Sequence, residues 1–198
     1  MTATIPGPDD VTAFWLEEVG EARWYASDDA LDAAIRDRFG SAWAEAARGR
    51  LGHWMATAPG ALGYLILLDQ FPRNMFRGEA RAFATDGRAR VAAKTAIGRG
   101  WDLRIPEPER QFFYLPLMHS EVLVDQDRTV RLFLSRMPET GADGLLHALA
   151  HREQIRRFGR FPGRNAALGR QSTPEEEAFL AEGGQYALYQ RIKAARAA

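Results

Sequence analysis

Asp28-Asp29-Ala30-Leu31-Asp32-Ala33-Ala34-Ile35-Arg36-Asp37-Arg38-Phe39-Gly40 carries its large apolar groups at 31, 35 and 39, with Asp32, Arg36 and Arg38 off that line. Spacing of this kind is the mark of an amphipathic helix. Asp28 and Asp29 suit its start, and Gly40 is placed for a C-terminal stop. The same period recurs on both sides. Before it, Val11, Phe14, Trp15 and Val19 follow a possible cap at Asp10, with Gly20 to weaken or end the helix. After it, Trp43, Ala46, Ala47, Leu51 and Trp54 predict a third helix. An Ala-Pro-Gly step at 58–60 then leads into a fourth and central one that buries Leu62, Leu65, Ile66 and Leu68.

Further along, residues 79–98 are rich in Ala and Arg and predict one or two close-packed helices, with Gly87 as a joint. A helix beginning near Glu107 buries Phe112, Phe113, Leu115, Leu117 and Met118 and is kinked or ended by Pro116. Val130, Leu132 and Phe133 belong to another helix, and residues 145–158 to the next. Thr173-Pro174-Glu175-Glu176 is a helix start with an N-cap, a proline in the first turn and a capping-box glutamate. Nothing alternates with period two for long enough to make a strand. The fold class expected is therefore all-α, built of stacked antiparallel helix pairs in one domain over 1–198. Residues 1–9 form a flexible start, 10–182 the core and 183–198 a C-terminal helix.

Lys and Arg number 26 and Asp and Glu 26, so no global field draws the chain to DNA, RNA or an acidic membrane. Zero cysteines exclude disulfides, thiolate metal sites and cysteine nucleophiles, and fit a reducing compartment. The N-terminus has neither the basic nor the apolar stretch of an export signal. The longest uncharged apolar run, 58–68, stops well short of the roughly 20 residues a membrane-spanning helix needs. A soluble, cytoplasmic protein is expected.

Two segments echo each other: Asp69-Gln70-Phe71-Pro72-Arg73-Asn74 and Gly159-Arg160-Phe161-Pro162-Gly163-Arg164-Asn165. Proline disfavours the α conformation in the residue before it, so Phe71 and Phe161 are expected to break the helical path. Asp69 and Arg73, and Gln70 and Asn74, stand four apart and share a face if the helix continues. Either Asp69 seals a helix end through Arg73, or it holds Arg73 to grip a carboxylate or phosphate. His119, with Glu121 two residues on, follows an intensely apolar segment and is a candidate for proton transfer, or for a buried hydrogen bond to a carbonyl. His147 and His151 stand four apart as in two-histidine metal sites, but Ala148 occupies the place of a zinc-protease glutamate. No third ligand has a fitting spacing either, so neither metal nor cofactor is expected.

The runs 67–74, 112–121 and 157–165, followed by Leu168-Gly169-Arg170 and Ser172-Thr173, resemble the bacterial domain-of-unknown-function family 924. The resemblance implies an all-α fold similar to tetratricopeptide-repeat proteins and supplies no activity. The chain departs from it at Gly163, where the family is expected to carry His in a Phe-Pro-His-Arg-Asn run. A role for that His in proton transfer or metal binding would leave this chain impaired or divergent.

The function expected is binding of a small anionic or polar metabolite. Arg73, Arg160 and Arg164 would clamp the anion, and Asp69, Gln70, Asn74 and Asn165 would complete the ligand set. His119, Glu121 and His151 would serve acid/base work if the site is hydrolytic or a transferase, and Arg73 and Arg164 are expected to share a pocket with His119. The rival is a helical scaffold that binds a peptide without catalysis. In a third alternative these side chains are structural corners, with their donors taken by carbonyls and internal carboxylates.

Overall fold

The computed structural model describes residues 5–197, and every regular element among them is helical. Contacts divide the chain into two compact units, one ending at Pro116 and the other beginning at Leu117. No helix among the described residues is long and apolar enough to cross a membrane.

In the first unit α1 (Pro8–Thr12) runs on as a π-helix over Ala13–Val19 and stops at Gly20, whose φ of 74° places it in the left-handed region. The helix starts three residues earlier than a cap at Asp10 would place it. Gly7 is the N-cap, Pro8 sits where the missing N–H does no harm, and Asp10 accepts the Gly7 N–H at 2.7 Å from inside the first turn. Residues 1–4 of the expected flexible start lie outside the described residues. A Cβ at Gly63 would come within 2.6 Å of the Pro8 carbonyl oxygen, so glycine is what lets this segment close on the central helix.

Helix α2 (Asp29–Ala47) passes straight through Gly40 and absorbs the start of the expected third helix. Its buried stripe Leu31, Ile35, Phe39, Ala42, Trp43 and Ala46 is continuous. That burial outweighs the cost of about 1 kcal/mol for an interior glycine. The stop comes at Gly49, φ 83°, where Gly49 N–H bonds to Ala46 O and Arg50 N–H to Glu45 O. This is the paired closure of a Schellman motif.

Helix α3 (Ala58–Leu65), capped by Thr57, continues as a π-helix over Ile66–Gln70 and then as α4 (Phe71–Met75). It is buried on nearly every side, as its sequence predicts. The expected break at Phe71 does not occur: Phe71 is helical, with φ −58° and ψ −39°. The helix widens instead, Phe71 N–H reaching back five residues to Ile66 O. The Leu68 carbonyl, four residues before Pro72, receives the Thr85 hydroxyl at 2.6 Å. Phe39 and Trp15 pack on Phe71 with ring centroids 4.9 and 5.5 Å away. Helix α5 (Asp86–Gly98) begins just before Gly87, so the joint falls at residues 84–85. In place of one helix from Glu107, a 3₁₀ turn over Glu109–Phe113 precedes the short α6 (Leu115–Met118), with Pro116 in its first turn.

In the second unit α7 (Leu123–Arg136) and α8 (Ala142–Phe158) form a close pair, because Gly144 leaves room for the Phe133 ring. Helix α9 (Pro174–Ala181) starts on the predicted box: Thr173 Oγ1 accepts Glu176 N–H at 3.2 Å and Glu176 accepts Thr173 N–H at 2.9 Å. Helix α10 (Gly184–Ala197) packs against α8.

Candidate functional site

The first echo segment lies in the first unit. Arg73 donates to the carbonyls of Asp69 at 2.8 Å and Ala82 at 3.4 Å, and to both oxygens of Asp86 at 3.0 and 3.2 Å. Its guanidinium also lies 3.6 Å from the fully buried Asp69 carboxylate, which takes a hydrogen bond from the Gln70 amide at 2.5 Å. The helix therefore does bring Asp69 and Arg73 together, and a third partner thirteen residues on completes the grip. Asn74 is 7% exposed and donates to Asp32 at 2.8 Å, beside a two-bond contact from Arg77 to the same carboxylate, each bond 2.9 Å.

The second echo segment lies in the second unit. Helix α8 ends at Gly159, φ 68°, and Phe161 is extended, as the proline after it requires. Glu121 holds this residue. Its carboxylate accepts Phe161 N–H at 2.8 Å and two bonds from Arg170 at 2.9 and 3.0 Å, while Arg170 also donates to Phe161 O at 3.1 Å. Burial acts to raise the Glu121 pKa, but Arg170 and the Phe161 amide outweigh it and leave the carboxyl below its usual range. Glu121 is thus an ionised anchor of the loop.

Arg160 is bound to Glu176 at 2.6 and 2.7 Å, and donates to Gln171 O as well. Asn165 is buried and reaches Ser172 at 3.0 Å and Glu176 at 3.2 Å. The Arg160 hydrogen bonds, opposed by burial and aided by the Thr173 amide, hold Glu176 down to about 2. Gly163 is exposed with nothing within 4 Å of where a Cβ would stand, so the expected histidine would fit there without displacing a neighbour.

His119, His151 and Arg164 come together in this unit. The two rings are 6.1 Å apart, and the Phe161 ring meets His151 edge-on at 5.5 Å. Arg164 donates to His119 O at 2.9 Å and lies over the Phe161 ring at 4.6 Å. His151 Nδ1 stands 2.8 Å from His147 O and 3.0 Å from the side-chain amide of Gln185. The carbonyl can only accept, whereas the amide offers a donor or, turned over, an acceptor, so the carbonyl sets the tautomer, with the hydrogen on Nδ1 and the lone pair on Nε2. Burial, with repulsion from His119, pushes the His151 pKa down to about 3, so the ring is neutral at physiological pH. His147 turns elsewhere: it stacks on Tyr189 at 4.3 Å and faces Asp143 at 3.5 Å. The i, i+4 histidines therefore do not converge, and among the described residues no group of three potential ligands is placed to hold a metal.

Three partners were missed by sequence reasoning: Asp86 for Arg73, Arg170 for Glu121 and Asp32 for Asn74. Arg170 stands in the Leu-Gly-Arg run that follows the second echo, the single local signal for any of them.

A solved structure titled as a protein of unknown function, ATU0120 from Agrobacterium tumefaciens, is similar to this chain. The two are 43% identical, the match covers 88% of this chain and 97% of that one, and the TM-score is 0.82. Comparison with curated proteins gives no match. Residues 11–184 match the model of the family described as bacterial protein of unknown function (DUF924), and the chain belongs to that family.

Proposed function

We propose that the protein binds a small anionic or polar metabolite at the cluster of His119, His151 and Arg164 in its second unit. One observation carries this reading: a half-buried imidazole held neutral, with Nδ1–H committed to a carbonyl, lies beside a second imidazole and a guanidinium. Arg164 supplies charge for a carboxylate or phosphate oxygen. The bare Nε2 of His151 supplies an acceptor for a hydroxyl or amine of the same ligand. A group with a pKa of about 3 is a weak base at neutral pH, so His151 reads a hydrogen-bond donor while His119 is the residue left for acid/base work. Glu121, Arg160 and Asn165 fix the loop that bears Arg164, and Arg73 and Asp69 do the same for the helix of the first unit.

Thermal unfolding with inorganic phosphate, sulfate and malonate tests the proposal. At least one anion should raise the melting temperature, and Arg164→Ala and His151→Leu should each remove most of that gain. Arg164→Ala gives up the hydrogen bond to His119 O and should cost at least about 1 kcal/mol in plain buffer. Absence of any anion response in the wild type, or a response that survives both substitutions, overturns the reading.

A further inference from the structure

The first unit holds a cleft of about 530 Å³, within the size range of small-molecule sites. Asp32 and Asn74, 6% and 7% exposed, are the buried polar members of its wall, and Asp29, Arg36, Arg77 and Glu79 are the exposed charged ones. The buried members are fixed: Asp32 takes two bonds from Arg77 and one from Asn74, leaving the Asn74 Oδ1 without a hydrogen bond among the described residues. Arg36 is fixed too, donating through Nε and Nη2 to Met75 O at 3.3 and 2.9 Å.

Fixing these groups leaves others unengaged. Nη1 of Arg36 and Nη1 of Arg77 have no hydrogen-bond partner among the described residues, nor do the carboxylates of Asp29 and Glu79. Three carboxylates line the cleft against two guanidiniums, so it carries one negative charge in excess and still offers guanidinium donors. An anion is repelled by that balance, and a simple cation leaves the guanidinium donors idle.

We infer that this cleft binds a basic α-amino acid, a ligand with one carboxylate and two cationic groups. The carboxylate meets the outer nitrogens of Arg36 and Arg77, taking one charge-assisted hydrogen bond from each. The two cationic groups meet Asp29 and Glu79, and Asn74 Oδ1 accepts an N–H from the one that enters more deeply. The ligand's net charge of plus one matches the cleft's excess. The site is independent of the His119 cluster.

Calorimetric titration of the full chain with L-lysine tests the inference, with cadaverine, which lacks the carboxylate, and L-norleucine, which lacks the side-chain ammonium, as controls. Lysine should bind, and each control should bind about tenfold or more weakly, a loss of about 1.4 kcal/mol for the missing charge. Asp29→Asn and Glu79→Gln break no hydrogen bond in the protein and should weaken lysine binding, and Arg36→Ala should do the same. Anion-induced stabilisation should stay intact in all three, which separates this site from the His119 cluster. No heat of binding with lysine up to about 20 mM, well beyond a millimolar Kd, overturns the inference. So does equal binding of lysine and cadaverine, or lysine binding that the three substitutions leave unchanged.

Discussion

The Thr85 hydroxyl donates to the Leu68 carbonyl at 2.6 Å, at the position where residue 72 of an ordinary helix would have supplied an N–H. Pro72 supplies none, and Thr85 fills the vacancy from 17 residues away while accepting a bond from Trp43 Nε1 at 3.3 Å. Thr85→Val keeps the shape and removes both bonds inside a site 2% exposed. It should cost about 1–3 kcal/mol, the penalty for unpaired buried polar groups. Thermal unfolding should show a fall of roughly 2–4 °C per kcal/mol for a chain of this size, and an unchanged melting temperature would mean the widened helix needs no outside donor.

At Gly144 α8 lies close against α7, since a Cβ there would stand 2.3 Å from the Phe133 ring. Gly144→Ala should therefore destabilise by about 1–3 kcal/mol through overpacking, despite the better helix propensity of alanine. Gly163→Ala, where nothing lies within 4 Å, is the matched control and should stay within about 0.5 kcal/mol of wild type. Denaturant unfolding of the two variants side by side makes the comparison.

Acid should act on Glu176. The unfolded chain takes up its proton near 4.5 and the folded one only near 2, so its contribution is present above about 4.5 and lost as the pH falls between the two. In Glu176→Gln that part of the acid limb should vanish, leaving a shallower dependence of unfolding free energy on pH below 4.5. A variant as acid-sensitive as wild type would show that Arg160 draws no stability from this partner.

His151 should act in a higher window. Its ring gains a proton near 6.5 in the unfolded chain and near 3 in the folded one, so stability contributed by the neutral ring is lost as pH falls from 6.5 towards 3. Heteronuclear NMR should find it neutral, with hydrogen on Nδ1, throughout pH 5–8, and His151→Gln should flatten the stability profile in this range. A titration midpoint near 6.5 would remove the neutral acceptor on which the proposed anion site depends.

What the sequence revealed was local. The Thr173–Glu176 box was legible because both halves sit within one turn, and the continuous stripe of α2 because periodicity reports burial directly. Gly40 and Phe71 misled for one reason: their local preferences were overridden by partners far along the chain, the core under α2 in one case and Thr85 in the other. The candidate site was half legible. Residue types at the two echoes pointed to polar, arginine-bearing corners, but Asp86, Arg170 and Asp32 decide which donors remain, and they stand 13, 49 and 42 positions from Arg73, Glu121 and Asn74. Spacings of that order carry no period to read.

The loop between α8 and α9 is tied on both sides of Gly163. Phe161 hangs by its amide and carbonyl from the Glu121–Arg170 pair, while Arg164 reaches His119 and Asn165 reaches Glu176. The backbone at 163 is thus one connection among several, and severing it would leave both ends stitched to the same body, as in proteins that survive a nick or the relocation of their termini. That glycine marks a natural seam, where foreign sequence could be let into the chain without undoing the fastenings around it.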